Sequence, residues 1–156
     1  MALFTGTFVN KIDSKGRVSV PADFRANLSP VAGEKRPPFY VWRSFRHAAL
    51  DGCDQQFMER LSAGSEGLSV FSEAQDSLAA TIFADAKRLV PDDPGRIVLP
   101  LQMIEYAGID GEAVFVGQGP YFQIWAPAAF ESHSEAARQR AREMKLTAPI
   151  APRGTV

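Results

Sequence analysis

The sequence has 156 residues, of which 46% are hydrophobic and 22% are charged, and its formal net charge is −1. This composition is ordinary for a globular protein, and no apolar run approaches the roughly 20 residues of a membrane-spanning helix. The single cysteine, Cys53, excludes an intrachain disulfide, and the N-terminus lacks a signal-peptide pattern. We therefore expect a soluble, cytoplasmic chain that forms one domain, or two small halves sharing a core.

In chain order, the first half combines strand, turn and short-helix patterns. The patterns predict strands at 4–12, 18–20, 39–42 and, less clearly, 48–50, with helices at 21–28 and 55–61. Asp54 is placed to cap the second of these helices. A loop at 29–38 and a linker at 62–69 separate the elements.

The second half begins with a predicted helix at 70–83, in which Phe71, Ala74, Leu78 and Ile82 fall on one face. Strands are then predicted at 86–90, 97–99, 113–116 and 121–125. Helices are predicted at 100–108, where Gly108 ends the helix, and from 127 to about 146. The polar, proline-containing tail at 147–156 is expected to be disordered.

One nine-residue motif occurs twice without a gap. Residues 13–21 and 92–100 share the pattern Asp-x-x-Gly-Arg-(Val/Ile)-x-(Val/Leu)-Pro. The Asp can accept hydrogen bonds from the backbone of a tight turn, and the Gly supplies positive φ. Asp13, Gly16, Asp92 and Gly95 are therefore read as turn-forming residues rather than catalytic ones. The strands of one half are too short to bury a core alone, so the halves must pack together, plausibly with pseudo-twofold symmetry.

The charge distribution is the one expected of a polyanion site at the first motif, and a solvated basic face is the alternative. Residues 1–47 carry eight Lys or Arg against three acids, residues 48–96 carry four against nine, and the remainder carries five against six. Lys15 and Arg17 place two cations beside the first turn, where they could meet a phosphate or a base edge. The alternatives are a structural ion pair between Arg17 and Asp13, and plain solvent exposure of Lys15.

The motif and its neighbours resemble the opening signature of the MraZ family. The resemblance is carried by Phe4-x-Gly6, by Ile12 to Arg25, by the second motif copy, and by Val116-Gly117-Gln118 and Phe122-x-Ile124-Trp125. It implies an α+β, mainly β fold of two SpoVT-AbrB-type repeats that form a swapped-hairpin β-barrel with peripheral helices. The repeats would span 1–69 and 86–146, with a bridging helix at 70–85.

The resemblance also implies a function. MraZ proteins are ring-shaped homo-oligomers on the bacterial nucleoid, and they regulate transcription by binding short direct repeats in double-stranded DNA upstream of their division and cell-wall gene cluster. The DNA-binding candidates on this chain are then Arg17, Lys15, Lys11 and Arg96. For Arg96 the alternatives are a pair with Asp92 or an ion pair between subunits.

Other classes of function have less support in the sequence. An antitoxin-like module that binds a protein partner on the same barrel remains an alternative to DNA binding. No motif supports an enzyme, a cofactor or a small-molecule substrate. His47 and His133 are distant in sequence and have no accompanying ligand cluster, so we expect no metal site. Cys53 is read as an ordinary thiol.

Overall fold

A computed structural model describes residues 2–154. Its strands are β1 Thr7–Lys11, β2 Arg17–Ser19, β3 Phe39–Arg43, β4 Leu50–Asp54, β5 Lys87–Leu89, β6 Arg96–Val98, β7 Glu112–Gly117 and β8 Phe122–Trp125. Its helices are α1 Ala22–Ala26, α2 Gln55–Ser65, α3 Glu73–Leu78, α4 Leu101–Ala107 and α5 Pro127–Glu143. A π-helical turn, Ala79–Phe83, continues α3. The protein is therefore of the mixed α+β class, with most strands in one antiparallel sheet.

The two sheets each combine strands from both halves of the chain. The larger sheet has the order β1-β7-β8-β4-β3-β5, and the smaller one is the pair β2-β6. Each strand of the first half has a counterpart in the second: β1 and β5, β2 and β6, β3 and β7, β4 and β8. If every strand is exchanged with its counterpart, the order of the larger sheet is the same when read from the opposite edge. The strand pairs do not close into a ring within residues 2–154. The hydrophobic core draws on both halves, because neither set of strands could cover its own apolar face.

Several helix boundaries follow from local chemistry. Asp54 Oδ1 accepts a hydrogen bond from the Phe57 backbone N–H over 2.9 Å, which confirms the predicted cap of α2. Gly108 ends α4 in the left-handed conformation, with φ of 64°, as predicted. The segment 147–152 contains no helix or strand. Thr155 and Val156, also part of the predicted tail, lie outside the described residues.

The sequence misplaced one strand, one helix end and one helix start. Helix α2 continues to Ser65, into the predicted linker at 62–69. The fourth strand is Leu50–Asp54 rather than 48–50, and all its residues are buried. It lies between β3 and β8, where Gly52 is required because a Cβ there would lie 2.4 Å from the Phe122 ring. The helix predicted from residue 70 begins at Glu73, so Phe71 precedes it, has positive φ and is 95% exposed. Phe71 therefore does not belong to the inward face.

None of the helices formed by residues 2–154 has the length and apolar character needed to cross a membrane.

Candidate nucleic-acid interface

The first motif forms a tight turn organised by the Asp13 carboxylate. The backbone N–H groups of Lys15 and Arg17 both donate to Asp13 Oδ1 over 2.9 Å. Arg17 Nε donates to Oδ2 over 2.6 Å, so the arginine side chain is held by the same carboxylate. The hydrogen bonds from Arg17 lower the pKa of Asp13 below its usual range, because they favour the charged carboxylate. The turn is thus ordered with its acid ionised.

The second motif repeats this geometry. Asp92 Oδ1 accepts from the Arg96 backbone N–H over 2.7 Å, and Asp92 Oδ2 accepts from Arg96 Nε over 3.2 Å. The pKa of Asp92 is lowered, first by the backbone hydrogen bond from Arg96. Gly16 and Gly95 both have positive φ, at 85° and 93°. The repeat seen in the sequence is therefore a repeat of side-chain hydrogen bonding as well as of backbone shape.

The two turns are locked to each other across β2 and β6. Leu99 N–H donates to the Gly16 carbonyl over 2.9 Å, and Val20 N–H donates to the Gly95 carbonyl over 2.8 Å. A Cβ at Gly16 would lie 2.6 Å from the Leu99 carbonyl oxygen, so only glycine permits this approach. Neither turn can shift without disturbing its counterpart from the other half of the chain.

The ribbon formed by β2 and β6 has one buried and one exposed face. Val18 pairs with Ile97 at its centre, and both side chains are buried. Arg17 and Arg96 lie on the exposed face, each with a side chain that is 53% exposed. Among the described residues, both arginines make their side-chain hydrogen bonds through Nε and not through the terminal guanidinium nitrogens. The aspartates hold each arginine by Nε and leave its outer edge available.

The four sequence-predicted cations are not equally placed. Lys11, Arg17 and Arg96 line one shallow depression of about 480 Å³ beside the ribbon. Lys15 lies on the first turn with an exposed side chain, but it does not line this depression. The structure therefore brings Arg96, the candidate from the second repeat, next to the basic residues of the first.

The acids of the second motif are already engaged by arginines. Asp92 is paired with Arg96, and Asp93 accepts a hydrogen bond from Arg36 Nη1 over 2.6 Å. The sequence offered an ion pair with Asp92 as the alternative to a DNA contact for Arg96, and this ion pair is present. The ion pair of Arg17 with Asp13 is present as well. Because each pair uses Nε, it is compatible with a contact made by the terminal nitrogens.

Two residues near the ribbon were missed by the sequence reasoning. Asn10 Nδ2 donates to the Ser19 carbonyl over 2.7 Å and so ties β1 to the ribbon. Arg25 lies beside the second turn, where its guanidinium carbon would be 2.5 Å from a Cβ at Gly95. Asn10 lies outside the repeated motif, so the motif could not indicate it. Arg25 belongs to the stretch that resembles the family signature, but the sequence indicated no role for it at the site.

A second cluster lies outside the ribbon and joins residues that are distant in sequence. The rings of His47 and His133 are 4.5 Å apart, and His133 stacks on Trp125 at 4.6 Å. In residues 2–154, no group of three or more His, Cys, Asp or Glu side chains is arranged to hold a metal ion. The histidine cluster thus connects α5 to the segment between β3 and β4.

The single cysteine, Cys53, is buried in β4, where burial raises the pKa of its thiol.

The histidine cluster predicts a pH-dependent stability. The pKa of His133 is lowered, first by burial and then by His47, Arg140 and Arg46. The unfolded chain therefore binds a proton more readily than the folded chain, so stability should fall as pH drops below about 6.5. Thermal unfolding measured from pH 7.5 to pH 5 should show this fall, and His133→Phe, which keeps a ring but cannot titrate, should flatten it. An equal pH slope in both proteins would contradict the prediction.

Comparison with known proteins gives consistent results along most of the chain. A family model described as "MraZ protein, putative antitoxin-like" matches residues 82–149. A protein of Pelagibacter ubique (strain HTCC1062) named "Transcriptional regulator MraZ" is 42% identical over 139 residues, covering 89% of this chain and 88% of the relative. A protein of the same name from Rickettsia rickettsii (strain Sheila Smith) is 38% identical over 147 residues, covering 94% and 97%. A third, from Rickettsia akari (strain Hartford), is 37% identical with the same coverage.

Proposed function

The chain belongs to the MraZ family, and we propose that it is a sequence-specific DNA-binding regulator of transcription. The observation that carries the proposal is the ribbon of β2 and β6, which presents two arginines on one exposed face. The names of its relatives, which call them transcriptional regulators, are consistent with this reading.

The geometry of the ribbon suits direct readout of bases. The major groove of DNA admits a two-stranded β-ribbon, and an arginine fork matches the O6 and N7 acceptors of guanine. Asp13 and Asp92 fix Arg17 and Arg96 by Nε, which reduces the side-chain freedom lost on binding. Lys11 and Lys15 are better suited to phosphates, because a lysine ammonium is a point charge without a fork. The arginines would read sequence, and the lysines would supply affinity.

The proposal extends to the assembly and its target. Short direct repeats upstream of the division and cell-wall gene cluster are the proposed operator, and a ring of identical chains the proposed binding form. A ring that offers one ribbon per subunit to successive repeats gains affinity by effective concentration. We place this activity in the cytoplasm, at the nucleoid.

The proposed architecture is two SpoVT-AbrB-type repeats, 1–69 and 86–146, joined by 70–85 and folded as a swapped-hairpin barrel. The exchange symmetry of the strand order and the interlocked motif turns support this arrangement.

The test is a fluorescence anisotropy titration with the DNA immediately upstream of the gene for this chain, and with a scrambled duplex of equal length. We expect tighter binding to the native duplex. We also expect affinity to fall steeply between about 50 and 200 mM salt, because bound lysines and arginines displace counterions from the phosphates. Equal binding to both duplexes would contradict sequence-specific regulation. It would favour the antitoxin-like alternative, in which apolar contacts to a protein partner depend little on salt.

A further inference from the structure

The two motif turns lie at opposite ends of the ribbon, because β2 and β6 are antiparallel and each turn directly precedes its strand. Lys15 lies at the tip of the first turn, whereas Asp93 lies at the tip of the second. Residues 13–17 carry two bases and one acid, a formal charge of +1, and residues 92–96 carry one base and two acids, a formal charge of −1. A polyanion on the exposed face of the ribbon would therefore be attracted at one end and repelled at the other.

The acid at the tip of the second turn is paired with an arginine from the first half of the chain. Arg36 Nη1 donates to Asp93 Oδ1 over 2.6 Å, and the two side chains are 42% and 90% exposed. The register of β3 with β5 explains this encounter. Phe39 lies opposite Leu89, so continuing the pairing outward brings Arg36 opposite residue 92. With Arg36 counted, the formal charge at the second turn rises from −1 to 0.

The ion pair of Arg36 with Asp93 contributes little to the folded state. Water solvates exposed charges well, and an exposed pair must also order two flexible side chains, so such pairs add little stability. Arg36 Nε is buried and has no hydrogen-bond partner among residues 2–154, which costs free energy. The following Pro37 restricts the backbone at Arg36, so the loop presents this side chain in a limited range of positions. An arginine held in place at such a cost is better explained by a role in binding.

We propose that Arg36 masks the charge of Asp93 so that DNA phosphates can approach the second turn, where Arg96 lies; this rests on the proposed function. Asp93 precedes Arg96 by three residues, and the turn between them is closed by a 2.9 Å hydrogen bond from the Gly95 N–H to the Asp92 carbonyl. A phosphate near this turn is therefore within the screening length of about 8 to 10 Å at moderate salt. Arg36 is a positioning residue, because it acts through Asp93 and not on the DNA itself.

The test is a fluorescence anisotropy titration of four proteins against the native upstream duplex and the scrambled duplex. The proteins are the parent, Arg36→Gln, Asp93→Asn and the double variant, and the substitutions change the charge at the second turn by −1, +1 and 0. We expect Arg36→Gln to weaken binding about fivefold and Asp93→Asn to tighten it about twofold or more, while the double variant binds within about twofold of the parent. The difference between the single variants should narrow as salt is raised from about 50 to 200 mM, because salt screens charges.

The matched control is Arg88→Gln. Arg88 forms an ion pair with Glu34, which lies in the same loop as Arg36 but pairs outside the motif. This variant also removes one cation and one tie between the loop and the second half of the chain, yet it leaves the charge of the second turn unchanged. It should change DNA affinity less than about twofold. Circular dichroism verifies the fold of each variant, and Arg36→Gln should lower the unfolding temperature by less than about 4 °C, because its ion pair is exposed.

The double variant separates masking from two simpler roles of Arg36. If Arg36 contacted DNA directly, the double variant would stay as weak as Arg36→Gln. If the ion pair only held the loop, Asp93→Asn would weaken binding as well. Either result, with a parent that prefers the native duplex, overturns the inference and leaves the proposed function intact. A parent that binds both duplexes equally overturns the proposed function, while the order of affinities among the four proteins still decides the inference; a parent that binds neither duplex overturns both.

Discussion

Replacing Arg17 with alanine is expected to weaken binding to the upstream DNA about 10- to 100-fold and to remove most of its preference over scrambled DNA. A bidentate arginine contact discriminates between bases, whereas the remaining lysines contact phosphates in any sequence. Arg17→Lys should recover part of the affinity but little of the preference, because it restores the charge without the fork. Anisotropy titrations on native and scrambled duplexes measure both effects.

The ribbon geometry makes the same prediction for Arg96. Its side chain has the same exposure as that of Arg17 and is held by the equivalent aspartate. Arg96→Ala should therefore cause a loss comparable to that of Arg17→Ala. The control is Arg142→Ala, which removes an exposed arginine of α5 outside the ribbon and should change affinity less than about twofold. Full binding by Arg96→Ala would restrict base reading to the first motif.

Replacing Gly16 with alanine is expected to lower the free energy of unfolding by about 3 kcal/mol or more. Two costs combine: an alanine at φ of 85° is strained by about 1 to 2 kcal/mol, and its Cβ would lie 2.6 Å from the Leu99 carbonyl oxygen. Backbone must move to relieve this contact, and that backbone belongs to the interlock between the turns. Chemical denaturation monitored by tryptophan fluorescence measures the loss.

Gly33 supplies the matched control. It has nearly the same φ, 82°, but a Cβ there would have no atom within 4 Å. Gly33→Ala should therefore cost only the backbone strain, about 1 to 2 kcal/mol. If both substitutions destabilise the protein equally, the close approach of Gly16 to Leu99 does not contribute to stability.

The sequence determined the parts of this protein that depend on short spacings along the chain. An aspartate four residues before an arginine, with a glycine between them, was sufficient to predict both turns, because Asp13 and Asp92 bond within their own motifs. The caps at Asp54 and Gly108 were predictable for the same reason. Recurrence of the motif also indicated that the two halves would pack together.

Tertiary structure alone decided which distant residues meet. The segment at 50–54 has poor strand composition, yet it becomes a fully buried strand because β3 and β8 pair with its two edges. His47 and His133 come into contact only because α5 packs on the sheet. Likewise, Arg17 and Arg96 share one exposed face because β2 and β6 pair across the two halves. Local hydrogen bonds are set by residue spacing, whereas these contacts depend on which surfaces the whole chain must bury.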